Sequence, residues 1–266
     1  MFEAGYSDDV QPTPDDPVVA VDGDRVAGVR DGRLPCVRDL PDASDLRMIG
    51  RLDGQPVWAG SLVDGEALPW PEVAGAVGEP YGQMIARGVY DVRWRRTHRF
   101  CGECGGPLAD CPGFPTRRCP QCTTLFYVPQ ALSPAVIVAI RSADRLLLVQ
   151  HSYGMARARW SLVGGLVEAS ETLEAAASRE AREEVGLDLT DLRFHGSKGY
   201  SLDDPSVLMV GFTAECASDK RPQVDGVELT EARWFTADEI RALPAELLPP
   251  SYSIAWPLIA AFLDAG

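Results

Sequence analysis

Three glutamates crowd one short stretch, Arg179-Glu180-Ala181-Arg182-Glu183-Glu184-Val185-Gly186. On a helix, positions i, i+3 and i+4 share a face, so Glu180, Glu183 and Glu184 project together. Like charges so close repel, a cost that divalent cations remove, and hard carboxylate oxygens suit Mg²⁺ or Mn²⁺. Taken alone, the three also fit a solvated acidic helix. A second cluster lies upstream. Cys101-Gly-Glu-Cys104 and Cys119-Pro-Gln-Cys122 are separated by fourteen residues, and four thiolates at this spacing can close a tetrahedral Zn²⁺ shell. Four protein ligands leave no open position, so the expected role of that zinc is structural. Cys36, Cys111 and Cys216 stand alone and read as small, partly buried apolar residues.

The elements that must position these groups follow from periodicity and turn residues. A helix is expected from about Thr172 to Val185, with Leu173, Ala176, Ala177 and Ala181 as its buried face and Gly186 as its C-cap. Pro134 opens a buried strand, Ala135 to Ile140, and Leu146 to Gln150 returns as a second. Further strands are expected near 207–214 and 231–235, and helices near 237–242 and 251–264. Upstream, short apolar patches with turns at Asp22-Gly23 and Asp53-Gly54 read as β-hairpins, followed by a short helix over Tyr81 to Trp94. The expected organisation is a mobile acidic N-terminus (1–17), a small β-rich domain (18–97), a zinc ribbon (98–130) and an α/β catalytic domain (131–266).

A chain of 266 residues, 45% apolar, has ordinary globular composition and can bury a sizeable core. Its longest apolar run is too short to span a membrane, and its acidic opening carries no apolar signal region, so a cytoplasmic protein is expected. Seven cysteines, an odd number, also speak against a disulfide scaffold. Net charge is −14 with a pI near 4.6. Such a surface repels phosphate backbones, and general nucleic-acid binding is not expected.

The longer stretch from Gly165 through Glu171 to Leu187 resembles the Nudix box, G-x₅-E-x₇-R-E-U-x-E-E-x-G-U with U aliphatic or small, at every fixed position. Nudix enzymes fold as an α/β/α sandwich whose loop-helix-loop holds metal against a diphosphate. The resemblance implies that Glu180, Glu183 and Glu184 are metal ligands or near-ligands, and that Arg179 pairs with Glu171 to hold the loop on the helix. The chemistry is intelligible in itself. A pyrophosphate is an anion, so an acidic site takes it through bridging cations, which also neutralise the leaving phosphate and acidify a bound water. Arg96-Thr-His-Arg-Phe-Cys-Gly-Glu-Cys-Gly105, Phe126-Tyr127 and Ser133 to Ile137 resemble the zinc module and bridge of the NADH pyrophosphatase branch. In that branch the segment matching Val227 to Trp234 supplies another metal-binding glutamate, here Glu228, which is otherwise an exposed carboxylate at a strand start.

Two departures bear on the substrate. The branch carries S-Q-P-W-P-F-P-x-S downstream of its box, linked to NAD(H) recognition; here Ser197-Lys-Gly-Tyr-Ser-Leu-Asp-Asp-Pro-Ser206 stands instead. An aromatic usually follows the box's first glycine, and here it is Leu166, which removes a stacking partner worth roughly 1–3 kcal/mol. Tyr127 is a substitute platform, and Ser197, Lys198 and Tyr200 are the other candidate substrate contacts. Lys198 would meet a phosphate or carboxylate; a solvated lysine is the alternative. The implied activity is metal-dependent hydrolysis of an NAD(H)-like, possibly modified, dinucleotide to AMP and an NMN-like product, in a homodimer. ADP-ribose or nucleoside-diphosphate hydrolysis, and decapping of NAD-capped RNA, are the alternatives.

Overall fold

The computed structural model describes every residue except 30–31, 112–114, 128–131, 153–156, 158, 201–205, 217–219, 225 and 266; the side chains of Tyr200 and Ser206 are likewise outside the description. The chain divides into two compact units between Leu132 and Ser133.

The first unit opens with a six-stranded sheet of β1 (Phe2–Ala4), β2 (Val18–Asp22), β3 (Arg25–Ala27), β4 (Ala43–Leu52), β5 (Gln55–Leu62) and β6 (Ala67–Pro69), in the order β1-β4-β5-β2-β3-β6. Both expected hairpins form, the first with its turn at Gly23-Asp24 rather than Asp22-Gly23, because Asp22 is still paired with Arg25. Leu52 faces Gln55, and Asp53 and Gly54 take φ of 49° and 87°, the positive values a two-residue primed turn requires. Helices α1 (Trp70–Val77) and α2 (Tyr81–Thr97) cover the sheet. Gly88 lets α2 approach closely, because a Cβ there would stand 2.8 Å from the Val19 side chain.

The acidic opening, expected as a mobile arm, is instead part of this fold. β1 pairs with the β4 edge, and the Phe2 ring lies over Gly50, where a Cβ would sit 2.5 Å from it. Asp16 is buried, accepting from Trp58 Nε1 at 3.0 Å and from the Thr13 N–H at 2.9 Å. Composition marks this segment as polar, but one apolar anchor and one satisfied carboxylate are enough to dock it.

The cysteine module adds a three-stranded sheet of β7 (Ala109–Asp110), β8 (Thr116–Arg118) and β9 (Leu125–Tyr127). Asp110 ties it to the rest of the unit. It accepts from Arg117 Nε at 2.8 Å, from Arg95 Nη1 of α2 at 2.5 Å and from Arg47 Nη2 of β4 at 2.8 Å. Burial opposes its charge, but the bonds and charges of Arg117, Arg95 and Arg47 win and hold the carboxyl below the usual aspartate range. A carboxylate with a depressed folded pKa stabilises fully above its unfolded value and loses that contribution as pH falls through the folded one. Asp110→Asn is therefore expected to cost about 2 kcal/mol at neutral pH, since three partly buried guanidinium groups lose their common acceptor. The melting difference from wild type should shrink as pH is lowered through the acid range; a difference that is absent at pH 7 would remove Asp110 from this role.

The second unit is built on a sheet of β10 (Leu132–Ser142), β11 (Arg145–His151), β12 (Val163–Leu166), β13 (Thr190–Tyr200), β14 (Ser206–Glu215) and β15 (Leu229–Thr236). Its order is β13-β14-β10-β11-β15, with β12 also paired to β10. Helix α3 (Leu173–Val185) packs Ala176, Ala177, Ala181 and Val185 against Val136, Val138, Val210 and Phe212. Between Val210 and Phe212, Gly211 points to the opposite face, where a Cβ would meet Leu258 of α5 (Ala255–Ala265) at 3.1 Å. The sheet is thus sandwiched between α3 and α5, with the short α4 (Ala237–Arg241) following β15.

Candidate functional site

Helix α3 begins where local chemistry dictates. The Thr172 side chain accepts from the Ala175 N–H, and Gly186 closes the C-terminus in the left-handed region at φ 68°. One face of alanines fits flush on the sheet, which brings the next face, carrying Glu180 and Glu184, against β12. Both carboxylates are largely buried; Glu183, one face further round, is exposed.

Two consecutive glycines of β12 receive the buried pair. The Gly164 N–H donates to Glu184 Oε2 at 3.3 Å. At Gly165 a Cβ would fall 2.2 Å from Glu180 Oε1, so the Glu180 carboxylate occupies the space that any other residue would fill. Arg179 organises the remainder. It donates Nε to Glu171 Oε1 at 2.9 Å and Nη2 to Glu171 Oε2 at 3.0 Å, and Nη2 also reaches the Leu166 carbonyl at 2.8 Å. Its Nη1 donates to Glu180 Oε1 at 2.7 Å and to Glu183 Oε2 at 3.0 Å. The Arg179 bond holds the Glu171 carboxyl below its usual range, helped by the Glu168 N–H. Burial pushes Glu180 the other way. Arg179 pulls it back, and the charges of Glu183 and Glu228 push it up again.

Glu228 lies just before β15, exposed, with its charge felt at both Glu180 and His151. Among the described residues, the carboxylates of α3 and Glu228 are not gathered into a compact ligand group as the cysteines are. The donor set nevertheless fits a hard cation: every candidate ligand is a carboxylate oxygen, two of them are desolvated, and glycines hold both in place. Among the other expected contacts, Leu166 ends β12 and is half exposed. Ser197 and Lys198 are exposed on β13, opposite Val210 and Met209. The Tyr200 side chain and residues 201–205 lie outside the described residues. Tyr127 belongs to the first unit, on β9, and is exposed. The residues that sequence reasoning missed are Gly164, whose amide serves Glu184, and His151, at the end of β11. Burial lowers the His151 pKa below its usual value, against its bond to the Leu162 backbone and the charge of Glu228.

In the first unit the four cysteine sulfurs all lie within 4.8 Å of one another, the one such group of potential ligands among the described residues. Cys101 Sγ is 3.4 Å from Cys122 Sγ, and Cys104 Sγ is 3.5 Å from Cys119 Sγ. A tetrahedral shell with bonds of about 2.3 Å has edges of about 3.8 Å, so the spacing suits Zn²⁺. The two knuckles repeat one backbone pattern. The Cys101 N–H donates to Gly106 and the Gly105 N–H returns to Cys101; the Cys119 N–H donates to Thr124 and the Thr123 N–H returns to Cys119. Gly105 and Thr123 hold the matching positive φ, 73° and 64°.

Comparison with known proteins places these observations among relatives. The NUDIX domain family model matches residues 131–258. The NAD-capped RNA hydrolase NudC of Citrobacter koseri is 35% identical over 214 residues, spanning 80% of this chain and 78% of that protein. The NAD-capped RNA hydrolase NudC of Salmonella paratyphi B is 34% identical over 223 residues, spanning 83% and 81%. Among solved structures, a NUDIX hydrolase from Nitrosomonas europaea is 26% identical, with a TM-score of 0.48, covering 62% of this chain and 91% of its own.

Proposed function

Since this chain belongs to the Nudix hydrolase family, we propose that it hydrolyses the pyrophosphate linkage of an NAD(H)-like dinucleotide, giving AMP and an NMN-like product. The observation that carries this reading is the extent of the likeness. Identity of 34–35% runs over four-fifths of the chain, well beyond the catalytic domain, to relatives named for acting on NAD-capped RNA. The second reading, removal of an NAD cap from RNA, rests on those same names and breaks the same bond.

Glu180, Glu183, Glu184 and Glu228 would hold Mg²⁺ or Mn²⁺, which when bound neutralises the diphosphate and acidifies a water. The chain's own part is to bind and orient. Gly164 and Gly165 seat the two buried carboxylates, Arg179 and Glu171 clamp the loop that leads into α3, and Leu166, half exposed at the end of β12, presents an apolar, non-aromatic side chain. Ser197 and Lys198 of β13 are the proposed substrate contacts. The ribbon would carry structural Zn²⁺. A cytoplasmic homodimer completes the reading, checked by a solution mass of twice the 28.8 kDa chain.

A mass-spectrometric screen of NAD⁺, NADH, ADP-ribose, FAD, CoA and a 5′-NAD RNA with Mg²⁺ and Mn²⁺ tests it. Cleavage to AMP and an NMN-type product is expected for the NAD-type ligands; turnover confined to ADP-ribose would overturn the dinucleotide assignment. Leu166→Phe adds back a stacking ring and is expected to raise kcat/KM for NADH about tenfold. High wild-type activity on NADH, unchanged by the ring, would show that Leu166 does not set specificity. For the ribbon, Cys119→Ser is expected to lose zinc and about 4 kcal/mol of stability, roughly 10 °C in Tm. Zinc-free native protein by elemental analysis would refute that site.

A further inference from the structure

One helix places Glu180, Glu183 and Glu184, but Glu228 reaches the site from a separate strand. β11 and β15 pair in register from Arg145↔Thr236 to Gln150↔Glu231, then slip so that His151 stands opposite Leu229. Thr230 is the extra residue of this β-bulge, and its hydroxyl donates to the Gln150 carbonyl at 3.2 Å. Past the slip, Ser152 donates twice: its N–H to the Glu228 carbonyl at 2.8 Å and its hydroxyl to the Val227 carbonyl at 2.7 Å. A bulge bends a strand and re-aims its side chains. Here Leu229 enters the core and Glu228 stays at the surface.

His151 occupies the corner of that bend. It is half-buried, its ring is hydrogen-bonded to the Leu162 backbone, and it lies within electrostatic reach of the Glu228 carboxylate. Leu162 immediately precedes β12, whose Gly164 and Gly165 seat Glu184 and Glu180. His151 therefore sits between the segment leading into β12, which its ring meets at Leu162, and the segment that presents Glu228, to which its chain neighbour Ser152 is bonded at the Val227 and Glu228 carbonyls.

We propose that His151 is a positioning residue for Glu228, fixing through the Leu162 backbone and the Ser152-clamped bulge where this carboxylate stands relative to Glu180 and Glu184. The proposal rests on the reading of Glu228 as a metal ligand. Residues that orient ligands typically change metal affinity 10–100-fold when replaced. His151→Ala is expected to weaken Mn²⁺ binding, measured by electron paramagnetic resonance on zinc-loaded protein, about tenfold, and to lower kcat with little change in KM for the dinucleotide. His151→Gln, whose amide can still reach the Leu162 backbone, should recover most of the affinity and carries the test if the alanine variant does not fold. Glu228→Gln should weaken Mn²⁺ binding comparably, and the double variant His151→Ala/Glu228→Gln no further. Wild-type Mn²⁺ affinity in His151→Ala, or losses that multiply in the double variant, would overturn the positioning role alone. Unchanged Mn²⁺ binding in Glu228→Gln would instead overturn the ligand reading, and the proposal with it.

Discussion

Glu184→Gln is expected to lower kcat about a thousandfold while leaving the protein folded. Glutamine has nearly the volume of glutamate and can occupy the same niche on β12, so no cavity opens. What disappears is one negative charge in a site where Glu184 is 3% exposed and its carboxylate is held by the Gly164 N–H. In water such a charge would count for little; in a desolvated pocket it governs whether a divalent cation is held against a diphosphate. The stability readout should move oppositely to activity. Without added Mn²⁺, removing a buried carboxylate beside Glu180 and Glu183 relieves repulsion, and Tm should be unchanged or slightly higher. With saturating Mn²⁺, wild type gains stability by mass action, and the variant should gain far less. Glu180→Gln should behave alike in turnover. Near-normal turnover in Glu184→Gln, or an undiminished Mn²⁺-induced rise in Tm, would remove Glu184 from the metal set.

What sequence discloses of this site follows how local the interactions are. Helix α3 is legible almost to the residue, because its cap, its alanine face and its terminating glycine all lie within a few positions of one another. The Arg179–Glu171 pair belongs to the same contiguous stretch. β13 is not legible: Gly196, Gly199 and scattered charges break the alternation that marks a half-buried strand, and its backbone order comes from pairing with β14 at the sheet edge. α1 is hidden for a related reason, since an eight-residue helix with an internal Gly75 has weak intrinsic propensity and is held by packing of Trp70 and Val73. The docking of residues 1–17 depends on Gly50 and Trp58, far along the chain. Glu228 could be located by resemblance, but its relation to His151 exists only once β11 and β15 pair and slip by one residue. Contacts made by topology leave no spacing to read.

The paired glycines of β12 allow the site to be separated from the scaffold, and Gly165→Ala is expected to cut kcat about a hundredfold with a small loss of stability. An added Cβ would stand 2.2 Å from Glu180 Oε1 and 2.3 Å from its Cδ. Those atoms are the far end of a flexible side chain, so the clash is relieved by swinging the carboxylate away rather than by moving the sheet. The backbone is cheaply preserved, but Glu180 no longer stands where Arg179 and the neighbouring glutamates require it, and displacement of about 1 Å in a catalytic group costs on the order of a hundredfold. Gly164→Ala should do the reverse. Its Cβ would stand 2.4 Å from the Val136 carbonyl oxygen and 3.1 Å from Ile137 Cα, both backbone atoms of the central strand β10. Neither can rotate aside, so the sheet itself must distort, and a loss of about 2–3 kcal/mol is expected. Thermal melting and kcat measured on the two variants side by side decide the matter. The assignment requires Gly165→Ala to be the more active-site-impaired and Gly164→Ala the less stable. If Gly165→Ala keeps wild-type turnover, Glu180 does not need the position it holds against β12.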